Sequence, residues 1–70
     1  MNKQILSIDI GGRKLLSGMV TDRGEVNSET KHVWQGEITR SQVLNKVKEK
    51  LDQLHQKYPR AQYIGITIPG

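Results

Sequence analysis

Between Ile5 and Lys14 the chain reads Ile-Leu-Ser-Ile-Asp-Ile-Gly-Gly-Arg-Lys. This stretch predicts a strand over residues 4–10, with Leu6, Ile8 and Ile10 on one face and Ile5, Ser7 and Asp9 on the other. Both faces are largely apolar, which points to a central strand covered on both sides. The strand carries one acid, Asp9, near its end and then breaks into Gly11-Gly12. Two readings follow. In one, glycine N–H groups meet phosphate oxygens while the acid meets a magnesium ion, directly or through water. In the other, the glycines make a plain hairpin turn with positive φ and Asp9 is an ordinary strand-end acid. Spacing alone favours the plain hairpin.

The chain continues with a second strand over residues 14–21. It alternates Leu16, Gly18 and Val20 with Leu15, Ser17 and Met19. Gly18 either opens space for a ligand or a crossing helix, or only weakens the strand. Asp22-Arg-Gly-Glu25 is a turn. The third strand, residues 26–34, is the most polar and reads as an edge whose charges block pairing with other chains. Trp34 can stack on a base or sugar, but the favoured reading is that it pins the strand's end against the helix. The helix spans 40–58, capped by Thr39 or Ser41 and stopped by Pro59. Val43, Leu44, Val47, Leu51, Leu54 and Tyr58 form its core stripe. A last strand over 63–68 places Ile64, Ile66 and Ile68 on one face, and Pro69-Gly70 begin a loop at its carboxyl end. His32 and His55 have no partners at ligand spacing, so a metal role is not expected of either.

Three strands joined by short turns predict an antiparallel meander. A helix of about five turns before the fourth strand predicts that this strand runs parallel to the first. Seventy residues allow one small, marginally stable domain. With no cysteine, neither a disulfide nor a thiolate-bound metal can reinforce it. The absence of cysteine also suits a reducing cytoplasm. No signal peptide precedes the first strand, and no run approaches the roughly 18 apolar residues of a membrane span. The expected location is cytoplasmic, with no membrane partner.

The net charge is +4. Acids and bases cancel over residues 1–39. The excess lies on Arg40, Lys46, Lys48, Lys50, Lys57 and Arg60, opposed by Glu49 and Asp52. These bases lack interleaved exposed aromatics and any DNA-reading motif. They read as a solvated helix face rather than a nucleic-acid surface.

Asp-Ile-Gly-Gly-Arg-Lys at 9–14, the second strand with Gly18, the turn at 22–25 and the closing Ile64-Gly-Ile-Thr-Ile-Pro-Gly70 resemble, in order, the start of the ROK family. That family holds sugar kinases and related repressors within the actin-like ATPase group. The resemblance implies an α/β fold: a partial ribonuclease-H-like (actin-like ATPase) domain with an antiparallel three-stranded meander, one helix and a fourth strand parallel to the first. The fifth strand and later helices of that fold would be missing, leaving the fourth strand as an open edge and one face of strands one and four without its usual cover. Residues 1–70 would then be a single incomplete N-terminal ATPase-type subdomain. The motif begins within the first ten residues, which favours the kinase branch over repressors with a leading DNA-binding domain.

The resemblance also implies cofactors, ATP and Mg2+, held by Asp9, Gly11, Gly12, Arg13 and Lys14, with Asp9 serving the metal. The implied reaction is γ-phosphoryl transfer to a sugar hydroxyl. The family's catalytic base and sugar-binding residues belong to later motifs, so no catalytic residue is assigned in this chain and it is not expected to be competent alone. The implied partners are a sugar substrate in the full-length protein and the rest of the kinase fold or a homo-oligomer mate. The family has threonine where this chain has Arg13. Arginine can contact phosphate through its guanidinium, or it can obstruct a turn built for a small hydroxyl side chain. The competing function is a non-enzymatic binding module that uses the open sheet edge or the basic helix.

Overall fold

The structure, a computed structural model, describes residues 3–68. Its elements are β1 (Gln4–Ile10), β2 (Lys14–Thr21), β3 (Val26–Val33), α1 (Arg40–Lys57) and β4 (Tyr63–Thr67). They build one sheet in the order β3-β2-β1-β4. β1 pairs antiparallel with β2 and parallel with β4, and β2 pairs antiparallel with β3. This is the meander, helix and parallel return expected of a partial ribonuclease-H-like domain. Three elements end one residue earlier than the expected 26–34, 40–58 and 63–68. Trp34 lies just beyond the β3 ladder, Tyr58 is the helix C-cap, and Ile68 falls outside the β4 pairing. Pro69-Gly70 lie outside the described residues.

The hairpin between β2 and β3 turns tightly because Thr21 caps it in two ways. Its carbonyl accepts from the Gly24 amide at 2.9 Å, and its Oγ1 accepts from the amides of Arg23 at 3.3 Å and Glu25 at 3.1 Å. Gly24 takes φ +85°, the left-handed conformation that closes a three-residue hairpin loop.

The helix begins with a full capping box. Thr39 Oγ1 accepts from the Gln42 amide, and Gln42 Oε1 accepts from the Thr39 amide. This settles the choice between Thr39 and Ser41. At the other end the Tyr58 amide donates to the Leu54 carbonyl before Pro59 ends the run. α1 packs on the face formed by Leu6, Ile8, Leu15 and Met19, with its own Val47 and Leu54 buried against them. Val43, Leu51 and Tyr58 join at the margin. Leu44 does not: it is 60% exposed. It lies toward β4, where no described element covers the sheet.

Only one face of the sheet is covered by α1. Cross-strand pairing puts Ile5, Ser7 and Asp9 on the opposite face, with Leu16, Gly18 and Val20 of β2 and Tyr63, Gly65 and Thr67 of β4. Among the described residues β1 is therefore covered on one side only: its apolar pattern alone points to cover on both sides, and the partial fold implies the bare face seen here. Ile5 and Ser7 are half-buried, and Asp9 is exposed.

A bulge in β3 explains Gly18. The ladder shifts between Ser17 and Met19, so Ser28 and Glu29 both face the gap at Gly18. A Cβ on Gly18 would stand 3.3 Å from the Asn27 carbonyl oxygen and 3.4 Å from the Glu29 Cα. The glycine makes room for the bulged neighbouring strand, not for a helix. Ser28 takes φ 56°, unusual for a residue with a side chain. Its hydroxyl shares a 2.7 Å hydrogen bond with the Tyr58 hydroxyl, which ties the bulge to the end of α1.

Candidate functional site

The loop between β1 and β2, with the first residue of β2, holds four of the five candidate site residues. Gly11, Gly12, Arg13 and Lys14 form one turn, and its internal hydrogen bonds define what remains available. The Gly11 amide donates to the Lys14 carbonyl at 2.9 Å. The Gly11 N–H is therefore engaged within the turn in this structure. Neither Gly11 nor Gly12 has positive φ, in contrast to Gly24 and Gly36. The turn is thus not the positive-φ hairpin that a Gly-Gly pair permits. The Gly11 requirement is steric instead: a Cβ there would stand 3.1 Å from the Lys14 carbonyl oxygen.

Gly12 is different. An added Cβ would meet nothing within 4 Å, and its φ is open to any residue. The described fold does not itself require a glycine at this point. The amides of Gly12 and Arg13 make no hydrogen bond with any described residue. Two successive unpaired N–H groups at an exposed turn can serve an anion, and a side chain at Gly12 would stand in the way of its approach.

Trp34 organises this loop from β3. Its backbone amide donates to the Arg13 carbonyl at 2.9 Å, and its indole Nε1–H donates to the Gly11 carbonyl at 3.1 Å. The indole packs partly against the core, and His32 meets it edge-on with ring centroids 5.0 Å apart. The expected role for Trp34 was a pin against the helix. The observed partners are in the loop, and sequence reasoning missed them. The available signal was register: counting outward from the 22–25 turn brings Trp34 opposite Arg13 once the bulge is included.

Asp9 sits two residues before the loop on the uncovered face, between Leu16 of β2 and Thr67 of β4. Lys14 opens β2 on the same face. Asp9, Arg13 and Lys14 have no ion-pair partner among the described residues; Lys46–Glu49 on α1 is the ion pair there. No group of three His, Cys, Asp or Glu side chains is placed to hold a metal among the described residues. A lone exposed carboxylate suits magnesium, which keeps several of its waters. Of the bases of α1, Arg40, Lys48 and Lys57 are exposed, while Lys46 and Lys50 are half-buried. No described helix is long and apolar enough to cross a membrane.

Beyond the loop, an apolar groove of about 470 Å³ runs between α1 and β4, floored by Leu6, Val47 and Ala61 and flanked by Leu44, Leu51 and Ile64.

No protein-family model matches this chain, and no curated protein matches it. A solved structure does: the crystal structure of a "putative sugar kinase" from Cytophaga hutchinsonii, at TM-score 0.79 and 28% identity over 96% of this chain. The fold is sugar-kinase-like. The likeness spans 22% of the length of that protein. The sugar-kinase-like sheet seen here thus corresponds to less than a quarter of the chain it resembles.

Proposed function

We propose that this chain is the N-terminal phosphate-loop portion of an ATP-dependent sugar kinase of the ROK type, not competent for catalysis by itself. The observation that carries this reading is that the amides of Gly12 and Arg13 have no partner among the described residues, at an open turn where the described fold needs no glycine. The sugar-kinase-like fold supports it. Gly12 and Arg13 would offer N–H groups to phosphate oxygens, and the side chains of Arg13 and Lys14 would add positive charge. Asp9 would hold magnesium, chiefly through water. Gly11 would contribute its small size and not its amide. When bound, Mg-ATP supplies the γ-phosphoryl group that passes to a sugar hydroxyl. The base that accepts the hydroxyl proton and the sugar-binding groups would come from later parts of a longer protein, acting in the cytoplasm.

The test is a titration of the 15N-labelled chain with Mg-ATP. Amide shifts should centre on residues 9–14, and Asp9→Asn and Gly12→Val should each reduce them. Shifts confined to the lysines of α1, or none at all, would sink the reading.

A second reading, a binding module that works through its sheet edge, draws on the exposed Ile64 and Ile66 of β4. Such a module would be indifferent to Mg-ATP and would respond to substitutions on β4 alone.

A further inference from the structure

We propose that Trp34 is the positioning residue of the phosphate loop: its two N–H groups grip the loop carbonyls and thereby aim the free amides at the anion. This rests on the phosphate-loop reading above. The loop contains three peptide planes, 11–12, 12–13 and 13–14. Trp34 holds the carbonyl of the first through its indole, at 3.1 Å, and the carbonyl of the third through its backbone, at 2.9 Å.

A trans peptide points its C=O and N–H in opposite directions. Fixing the Gly11 carbonyl toward the indole therefore turns the Gly12 N–H away from it, toward the outside of the loop. The middle plane, which carries the Arg13 N–H, hangs between two anchored neighbours. Without these grips one hydrogen bond, from the Gly11 amide to the Lys14 carbonyl, would span the turn; its glycine backbone would move more freely, and ordering it would oppose ligand binding. The indole is itself held by packing against the core and by the edge-on ring of His32. Core order is thereby passed to the loop through one donor.

Backbone donation from residue 34 survives any substitution except proline. The indole contribution can be removed separately. Trp34→Phe keeps an aromatic ring and loses the donor. A chemically synthesised chain with benzothiophene in place of the Trp34 indole keeps the bicyclic shape as well, and carries the test if Trp34→Phe fails to fold. The probe is magnesium pyrophosphate, followed by 15N amide spectra.

In the unaltered chain, the Gly12 and Arg13 amides and the Trp34 Nε1–H should shift together along one binding curve. The benzothiophene chain should bind pyrophosphate about tenfold more weakly, roughly the worth of one hydrogen bond. Its Gly12 amide should also exchange with solvent faster before any ligand is added. Equal affinity and equal exchange in the two chains would overturn the role of Trp34 and leave the phosphate-loop reading standing. An unaltered chain that shows no pyrophosphate-dependent shift at Gly12 or Arg13 would overturn both.

Discussion

Gly18 and Gly65 flank Ser7 from either side on the uncovered face of the sheet, yet an added methyl meets different surroundings at each. At Gly18 it would press on the backbone of bulged β3, at 3.3 and 3.4 Å. Backbone in a paired strand yields poorly. Gly18→Ala should therefore cost about 1–3 kcal/mol, the usual range for overpacking. At Gly65 the nearest atom is the Ile5 Cγ2 at 3.9 Å, an ordinary contact. Gly65→Ala should be neutral, or stabilising by up to about 1 kcal/mol, because the unfolded chain loses freedom. Urea midpoints of the two variants decide the matter, and equal losses would show that the bulge does not set the Gly18 requirement. Gly12→Ala belongs to the same scale. Its methyl meets no protein atom, so its thermal midpoint should match the parent while its Mg-ATP affinity falls. A folding defect there would mean that the glycine serves the turn and not a ligand.

At the scale of elements, α1 depends on its first turn. No acid stands there to complement the helix dipole, so the Thr39–Gln42 capping box is the main satisfaction of the exposed amides. Thr39→Ala should cost about 1 kcal/mol, seen as a lower thermal midpoint followed by helical circular dichroism. An unchanged midpoint would mean that packing of Val47 and Leu54 alone holds the helix end.

Further along α1, Lys46 Nζ lies 2.7 Å from Glu49 Oε2. The hydrogen bond from Lys46, followed by its charge, holds the Glu49 carboxyl below the usual carboxylate range. A depressed pKa in the folded state means the pair contributes above the unfolded value, about 4.3 for glutamate. That contribution is lost as pH falls through the lower folded value. Lys46→Ala should therefore raise the Glu49 titration point toward the ordinary range, as read from its side-chain carboxyl resonance in acid. No movement would mean that the pair does not persist in solution. The effect on stability should be small, because the pair is solvent-exposed.

For the molecule as a whole, the two sheet edges are built differently. β3 carries Glu29, Lys31 and a bulge, the devices that discourage pairing with another chain. β4 has no charged residue. Ile64, Ile66 and Ile68 are 60%, 50% and 70% exposed on the side where α1 reaches β1 and β2 but not β4. An uncharged edge beside exposed isoleucines favours self-association. Sedimentation velocity at rising concentration should show the chain associating, and Ile66→Lys should shift it toward monomer. Identical monomeric behaviour of both at every concentration would refute this account of the edge.

Element order, the meander, the direction of β4 and, as a choice between Thr39 and Ser41, the helix cap were legible in the sequence. They depend on short-range causes: period-two and helical spacing, turn residues, a capping side chain and the length of the α1 connection. Asp9 at the end of β1 and the placing of residues 11–14 in one turn were legible for the same reason. The tertiary structure decided which amides of that turn remain free, that Trp34 grips its carbonyls, that Gly18 accommodates a bulge, and that Leu44 falls outside the core. Each of these depends on the register of strands, or on a helix position, set by residues far apart in the chain. One residue of bulge changes which groups meet, and Gly18 in β2 is its local trace, which does not by itself give the resulting register.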